Sequence, residues 1–276
     1  MGETENLAME SGGTPAEDIA PRPLHSLAPH EIWNLWDLLL FLVFFLVALL
    51  VLTPTALFGY AVLRPLLGWH TSRDSLLNNL IFQLTMQSIL YVSTVGFLLL
   101  LARFGHQQPF WKSLGWKKPT ARQVAGYLAG GGGLALAVSL ALAVRPDTQG
   151  FPLEKLFDSR TASYAIGAFA IGVAPVVEEL VFRGLLFAIF ERAVGLRFAV
   201  VTTAVLFAGL HVPEYWHAWN HLAMILVVGL VFSLARGSTG SLTPSIILHV
   251  GYNFLIMTGL FLSTQHFRVV SGFWRQ

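Results

Sequence analysis

Seven stretches of this 276-residue chain are apolar over lengths that meet or approach a bilayer crossing, and they restrict its fold more than any other feature. About 20 mostly apolar residues match the hydrocarbon thickness of a bilayer. There every backbone N–H and C=O must be paired within the protein, which makes long single runs helical. The runs fall at about 32–52, 76–101, 124–144, 164–190, 198–210, 222–234 and 245–262. Pro175 interrupts the fourth, so it is either one kinked helix or two segments. The fifth and sixth are short for a full crossing, and their ends are free to extend into the loops. The predicted fold is all-α: a polytopic bundle of seven to eight transmembrane helices around an intramembrane polar cavity. The composition agrees, at 55% hydrophobic and 12% charged residues.

The remaining sequence organises around those runs. Residues 1–30 are polar and rich in Glu, Gly, Pro and Ser, which predicts a disordered tail. Residues 31–160 carry the N-terminal spans, 161–264 a second group that holds the chemistry, and 265–276 a C-terminal tail. No cysteine occurs, so thiolate nucleophiles, thiolate metal sites and disulfides are excluded. Arg103, Lys112, Lys117, Lys118 and Arg122 gather in one loop, which predicts a cytoplasmic loop or an anionic-lipid contact and gives no nucleic-acid surface. Trp33, Trp36, Trp111, Trp116, Trp216 and Trp219 lie near predicted helix ends, where indoles anchor at lipid headgroups. Four glycines, Gly130 to Gly133, predict close helix packing in the third run. The chain is expected to be an integral, multi-pass protein, of the plasma (inner) membrane if its source is bacterial, with membrane lipids as neighbours and its oligomeric state open.

Against this apolar background Glu178 and Glu179 are out of place, because an ionised carboxylate in a membrane is costly and marks a functional hypothesis by default. On a helix the two point about 100 degrees apart. Arg183 stands four residues beyond Glu179, the spacing of an ion pair, which leaves Glu178 for chemistry. His211 closes the fifth run four residues after Phe207, and His249 and Asn253 share one face of the last. Each has a structural reading too: a packing network for the glutamates, a carbonyl contact for His211, interhelical glue for His249 and Asn253. Together they supply a base, an assisting histidine and two donors for an oxyanion, the inventory of a hydrolase acting through water. Glu178, His211 and His249 could instead hold zinc with an open water position, but there is no His-Glu-x-x-His helix, and the metal-free reading is favoured. His217 and His221 form a rival pair in a Trp-rich loop, which reads as an interfacial turn with no catalytic role.

The three elements Glu-Glu-x-x-x-Arg (Glu178, Glu179, Arg183), Phe-x-x-x-His (Phe207, His211) and His-x-x-x-Asn (His249, Asn253) resemble the CAAX protease and bacteriocin-processing family, related to the type II CAAX prenyl endopeptidases. The resemblance covers roughly residues 164–262. It implies an intramembrane endopeptidase in which Glu178 and His211 activate water, His249 and Asn253 form an oxyanion hole, and Glu179 and Arg183 support the catalytic glutamate. It further implies a hydrophobic or lipidated peptide or membrane protein as substrate, cut near a hydrophobic or prenylated terminus, and no cofactor. A non-catalytic scaffold or bacteriocin self-immunity protein on the same fold is the competing expectation.

Overall fold

Asn34 starts the first long helix: its side chain accepts from Trp36 N, while Asp37 returns a carboxylate to the Asn34 N–H, a capping box. The computed structural model describes residues 29–68, 72–77, 79–144 and 160–268. Most of the predicted disordered tail and residues 269–276 therefore lie outside the described residues. Helix α1 spans Leu35–Leu67, α2 Leu80–Gly105, α3 Ala121–Val144, α4 Arg160–Val194, α5 Leu196–Leu210, α6 Trp219–Thr239 and α7 Thr243–Ser263. Six are long and apolar enough to cross a membrane, and α5 is the short seventh. Among the described residues there is no strand, and the fold is the expected all-α polytopic bundle.

One expectation about a helix end is corrected, and one open alternative is decided. Helix α1 does not end near residue 52 but continues through Pro54 and Pro65 to the left-handed Gly68. Breaking it there would expose backbone polar groups to lipid, so the helix absorbs its prolines. Pro175 does not split the fourth run into two spans: α4 bends at Val173, and Pro175 sits in the first turn of the following piece, where its missing N–H costs little. Helix α6 extends into its loops to 21 residues. Helix α5 stays at 15 residues, about 22 Å at 1.5 Å per residue against a hydrocarbon core of about 30 Å. The chain enters α5 through Gly195, whose φ of 104° only glycine adopts readily and which turns α4 tightly into α5.

Packing then fixes which helices surround the chemistry. Helices α3 and α7 run against each other along most of their length, α5 packs on α6, and α6 on α7. The α3–α7 approach is backbone to backbone: a Cβ at Gly131 would collide with Leu248 O and lie 2.8 Å from Tyr252 N, and one at Gly251 would lie 3.0 Å from Leu128 Cα. Gly131 thus seats the turn of α7 that carries His249. Gly132 and Gly133 have nothing within 4 Å, so only part of the tract serves close packing.

Consecutive helices alternate in direction, which gives the bundle two unlike ends. At one end Trp33 is fully buried and donates from Nε1 to Ser113 O at 2.7 Å, so it is a structural strut rather than a lipid anchor. His106 Nε2 lies 2.8 Å from Asp37 Oδ1, and Arg192 Nη1 donates to the carbonyls of Glu31 and Trp33. Trp36, Trp111, Trp116, Trp216 and Trp219 are exposed, as anchoring indoles would be. The other end is hollow.

Candidate active site

The first motif lies where α4 changes its winding. Residues Ala174–Glu179 are α-helical, and Leu180–Leu186 form a π-helical stretch, a geometry that recurs at functional sites. The wider turn leaves carbonyls short of partners, and Arg236 Nε, reaching from α6, donates to Arg183 O at 2.9 Å. Glu179 and Arg183 are wholly buried and joined by a 2.8 Å ion pair at the i, i+4 spacing. Arg183 spends its other nitrogens on α6, donating from Nη2 to Gly229 O at 2.8 Å and from Nε to Ser233 Oγ at 3.3 Å, and its guanidinium lies over Phe207. Ser233 in turn meets Thr203 Oγ1 of α5 at 3.0 Å. The pair therefore ties α4, α5 and α6 together.

Glu178 faces the other way, as the angular argument requires, into the open part of the bundle. Its Oε1 accepts from the Tyr91 hydroxyl at 2.9 Å, and its Oε2 lies 3.9 Å from His249 Nε2. His249 bridges the two glutamates, because its Nδ1 lies 3.0 Å from Glu179 Oε1. A carboxylate accepts there, so Nδ1 carries the hydrogen and Nε2 is the atom turned toward Glu178. His211 ends α5, with Nδ1 2.8 Å from Phe207 O; a carbonyl can only accept, so Nδ1 is protonated and Nε2 of the neutral ring is a lone pair. Asn253 donates from its amide to Ala170 O at 2.7 Å, across the bend of α4.

Glu178, Phe207, His211, His249 and Asn253 all line one cavity of about 890 Å³, within the size range of ligand sites. Its walls are mainly apolar and come from both halves of the chain, including Leu84 and Tyr91 of α2 and Leu136 and Leu142 of α3. Glu179 and Arg183 are packed behind the wall. His221 lines the cavity and stacks on Tyr215, whereas His217 is exposed in the turn with φ 74°. Among the described residues, no three His, Asp or Glu side chains are grouped to hold a metal ion, so Glu178, His211 and His249 are not gathered as one ligand set.

Several participants escaped the sequence reading. Tyr91, Ser233 and Thr203 are ordinary members of apolar runs and carry no spacing signal. Arg236 carried one: a cation inside a predicted α6 extension, needing a partner. Glu214, in the turn between α5 and α6, also lines the cavity. Solvent reaches it at the mouth, yet burial by the surrounding walls raises its carboxyl above the ordinary pKa; the His211 charge opposes that shift and the Glu178 charge adds to it.

Residues 160–255 match the family model described as type II CAAX prenyl endopeptidase Rce1-like. No curated protein and no solved structure matches the chain.

Proposed function

We propose, on the match of residues 160–255 to the model described as type II CAAX prenyl endopeptidase Rce1-like, that the chain is a metal-free intramembrane endopeptidase that hydrolyses a peptide bond near a hydrophobic or prenylated protein terminus. The observation that carries the reading is the convergence of Glu178, His211, His249 and Asn253, from three helices, on a single largely apolar cavity.

The reaction follows from what each group can offer. A water held in the cavity loses a proton to Glu178, with the His211 Nε2 lone pair assisting, and its oxygen bonds to the peptide carbonyl carbon. The carbonyl oxygen becomes an oxyanion and needs preorganised donors. Asn253 supplies the amide hydrogen that Ala170 O leaves free, and His249, its Nδ1–H held by Glu179, donates from Nε2–H when the ring is protonated. Collapse breaks the C–N bond, and the proton taken from water passes to the leaving amine. Glu179 and Arg183 hold His249 and the π-helical stretch in place. The apolar walls suit a hydrophobic or lipidated peptide reaching the site from the bilayer.

The test is cleavage of prenylated CAAX peptides and of host membrane proteins by purified protein, with new termini identified by mass spectrometry. Glu178→Gln is expected to lower turnover by about 10²–10⁴-fold at unchanged abundance. Cleavage at the wild-type rate by this variant would falsify the mechanism. A non-catalytic scaffold predicts no new termini from either protein.

A further inference from the structure

The hydrogen bond that fixes Glu178 comes from outside the matched residues 160–255. It is donated by Tyr91 of α2, 87 positions earlier in the chain, at 2.9 Å to Oε1. One further contact holds the phenol. Its ring stacks on Phe169 of α4, with centroids 5.6 Å apart and planes 15° from parallel. Gln87, one helical turn before Tyr91, lines the same cavity.

We propose that Tyr91 is a positioning residue for Glu178, pinning Oε1 so that Oε2 is the oxygen that takes the proton from water and returns it to the leaving amine. The argument is one of lone pairs and reach. A carboxylate free to rotate offers either oxygen to a water, and only some orientations leave that water aimed at a bound carbonyl. With Oε1 held by Tyr91, the free oxygen is the one 3.9 Å from His249 Nε2, on the side where the oxyanion donors stand. The transferred proton then rests between the attacking water and the leaving group instead of on the far face of the carboxylate. This role depends on the proposed peptidase reading, and it makes α2 part of the reacting unit: residues 160–255 alone lack the group that sets the base.

The test uses the full chain in lipid nanodiscs and has two arms. Infrared difference spectra of wild type minus Glu178→Gln isolate the carboxylate bands of Glu178. Tyr91→Phe, which keeps the ring on Phe169, is expected to shift those bands as one hydrogen bond is lost. In the kinetic arm, with a farnesylated CAAX peptide, Tyr91→Phe is expected to lower kcat ~10- to 100-fold while KM stays within about twofold. Unshifted bands in Tyr91→Phe, or a wild-type kcat, overturn the proposal. So does a rise in KM at constant kcat, which would make Tyr91 a substrate contact. If wild type itself leaves the peptide intact, the peptidase reading loses its support, while the infrared arm still decides whether Tyr91 holds Glu178.

Discussion

The two ends of the bundle spend polar groups in opposite ways. At the closed end, Asp37, His106, Trp33, Ser113 and Arg192 satisfy one another and the backbone, binding the start of α1 to the ends of α2 and α4. At the open end, His211, Asn253 and Glu178 each make a hydrogen bond to the protein and line a cavity. Between them lies the Glu179–Arg183 pair, fully buried, with no exposure at all. The difference teaches how the bundle divides its polar groups: the closed end and the central pair fix the frame, and the open end holds groups that line the cavity where the proposed substrate would bind.

The sharpest way to break this division is at the central pair. Arg183→Met leaves the Glu179 carboxylate buried with only His249 beside it, and Glu179 Oε2 already has no hydrogen-bond partner. Removing one partner of a buried pair costs about 3–5 kcal/mol. Thermal unfolding in detergent is expected to show that loss, and the double variant Glu179→Gln, Arg183→Met to recover part of it. A single variant as stable as wild type would mean the pair is not a structural centre.

A smaller effect separates two glycines of one tract. Gly131→Ala pushes a methyl into the backbone of α7 beside His249, and overpacking of this kind costs about 1–3 kcal/mol. Because α7 must move, cleavage is expected to fall with stability. Gly132→Ala meets nothing within 4 Å and replaces a poor helix former with a good one, so it is expected to be neutral or to stabilise by about 0.5–1 kcal/mol. Equal behaviour of the two variants would remove Gly131 from its role in seating the last motif.

These contrasts mark what was readable in advance. The seven apolar runs became seven helices because hydropathy reports the solvent, and the Glu179–Arg183 pair followed from helical spacing alone. Helix α1 runs past the apolar stretch that closed near residue 52, through Pro54 and Pro65, because a backbone in lipid has to keep its polar groups paired. Tyr91 was invisible, since its contact with Glu178 joins two helices and nothing local in α2 distinguishes a tyrosine in such a place. The position of His249 between both glutamates was also hidden: the spacing put it beside Asn253, whereas tertiary packing turned one ring nitrogen toward each carboxylate. Periodicity identifies faces, and only packing decides which faces meet.

At the closed end, Trp33→Phe removes the donor to Ser113 O and leaves that buried carbonyl unpaired. The expected cost is about 1–2 kcal/mol of stability with kcat unchanged, because nothing at that end lines the cavity. A fall in kcat at retained stability would show that the two ends are coupled after all.

The smallest effect is expected at the cavity mouth. The Glu214 pKa is raised chiefly by burial, so the folded protein holds that proton more tightly than the unfolded chain does. Stability from this group is fully present below the unfolded carboxylate pKa and is lost as pH rises through the raised folded value, since the native state binds the extra proton in that window. Glu214→Gln has no such proton to lose. Its Tm is therefore expected to equal that of wild type in acid and to exceed it by a growing margin from the ordinary carboxylate range upward, until the wild-type group is fully ionised. Solvent at the mouth screens the charge and keeps the margin small. A margin of the opposite sign would mean that ionised Glu214 is held by a favourable partner, and the open end would then contain a satisfied acid instead of an uncommitted one.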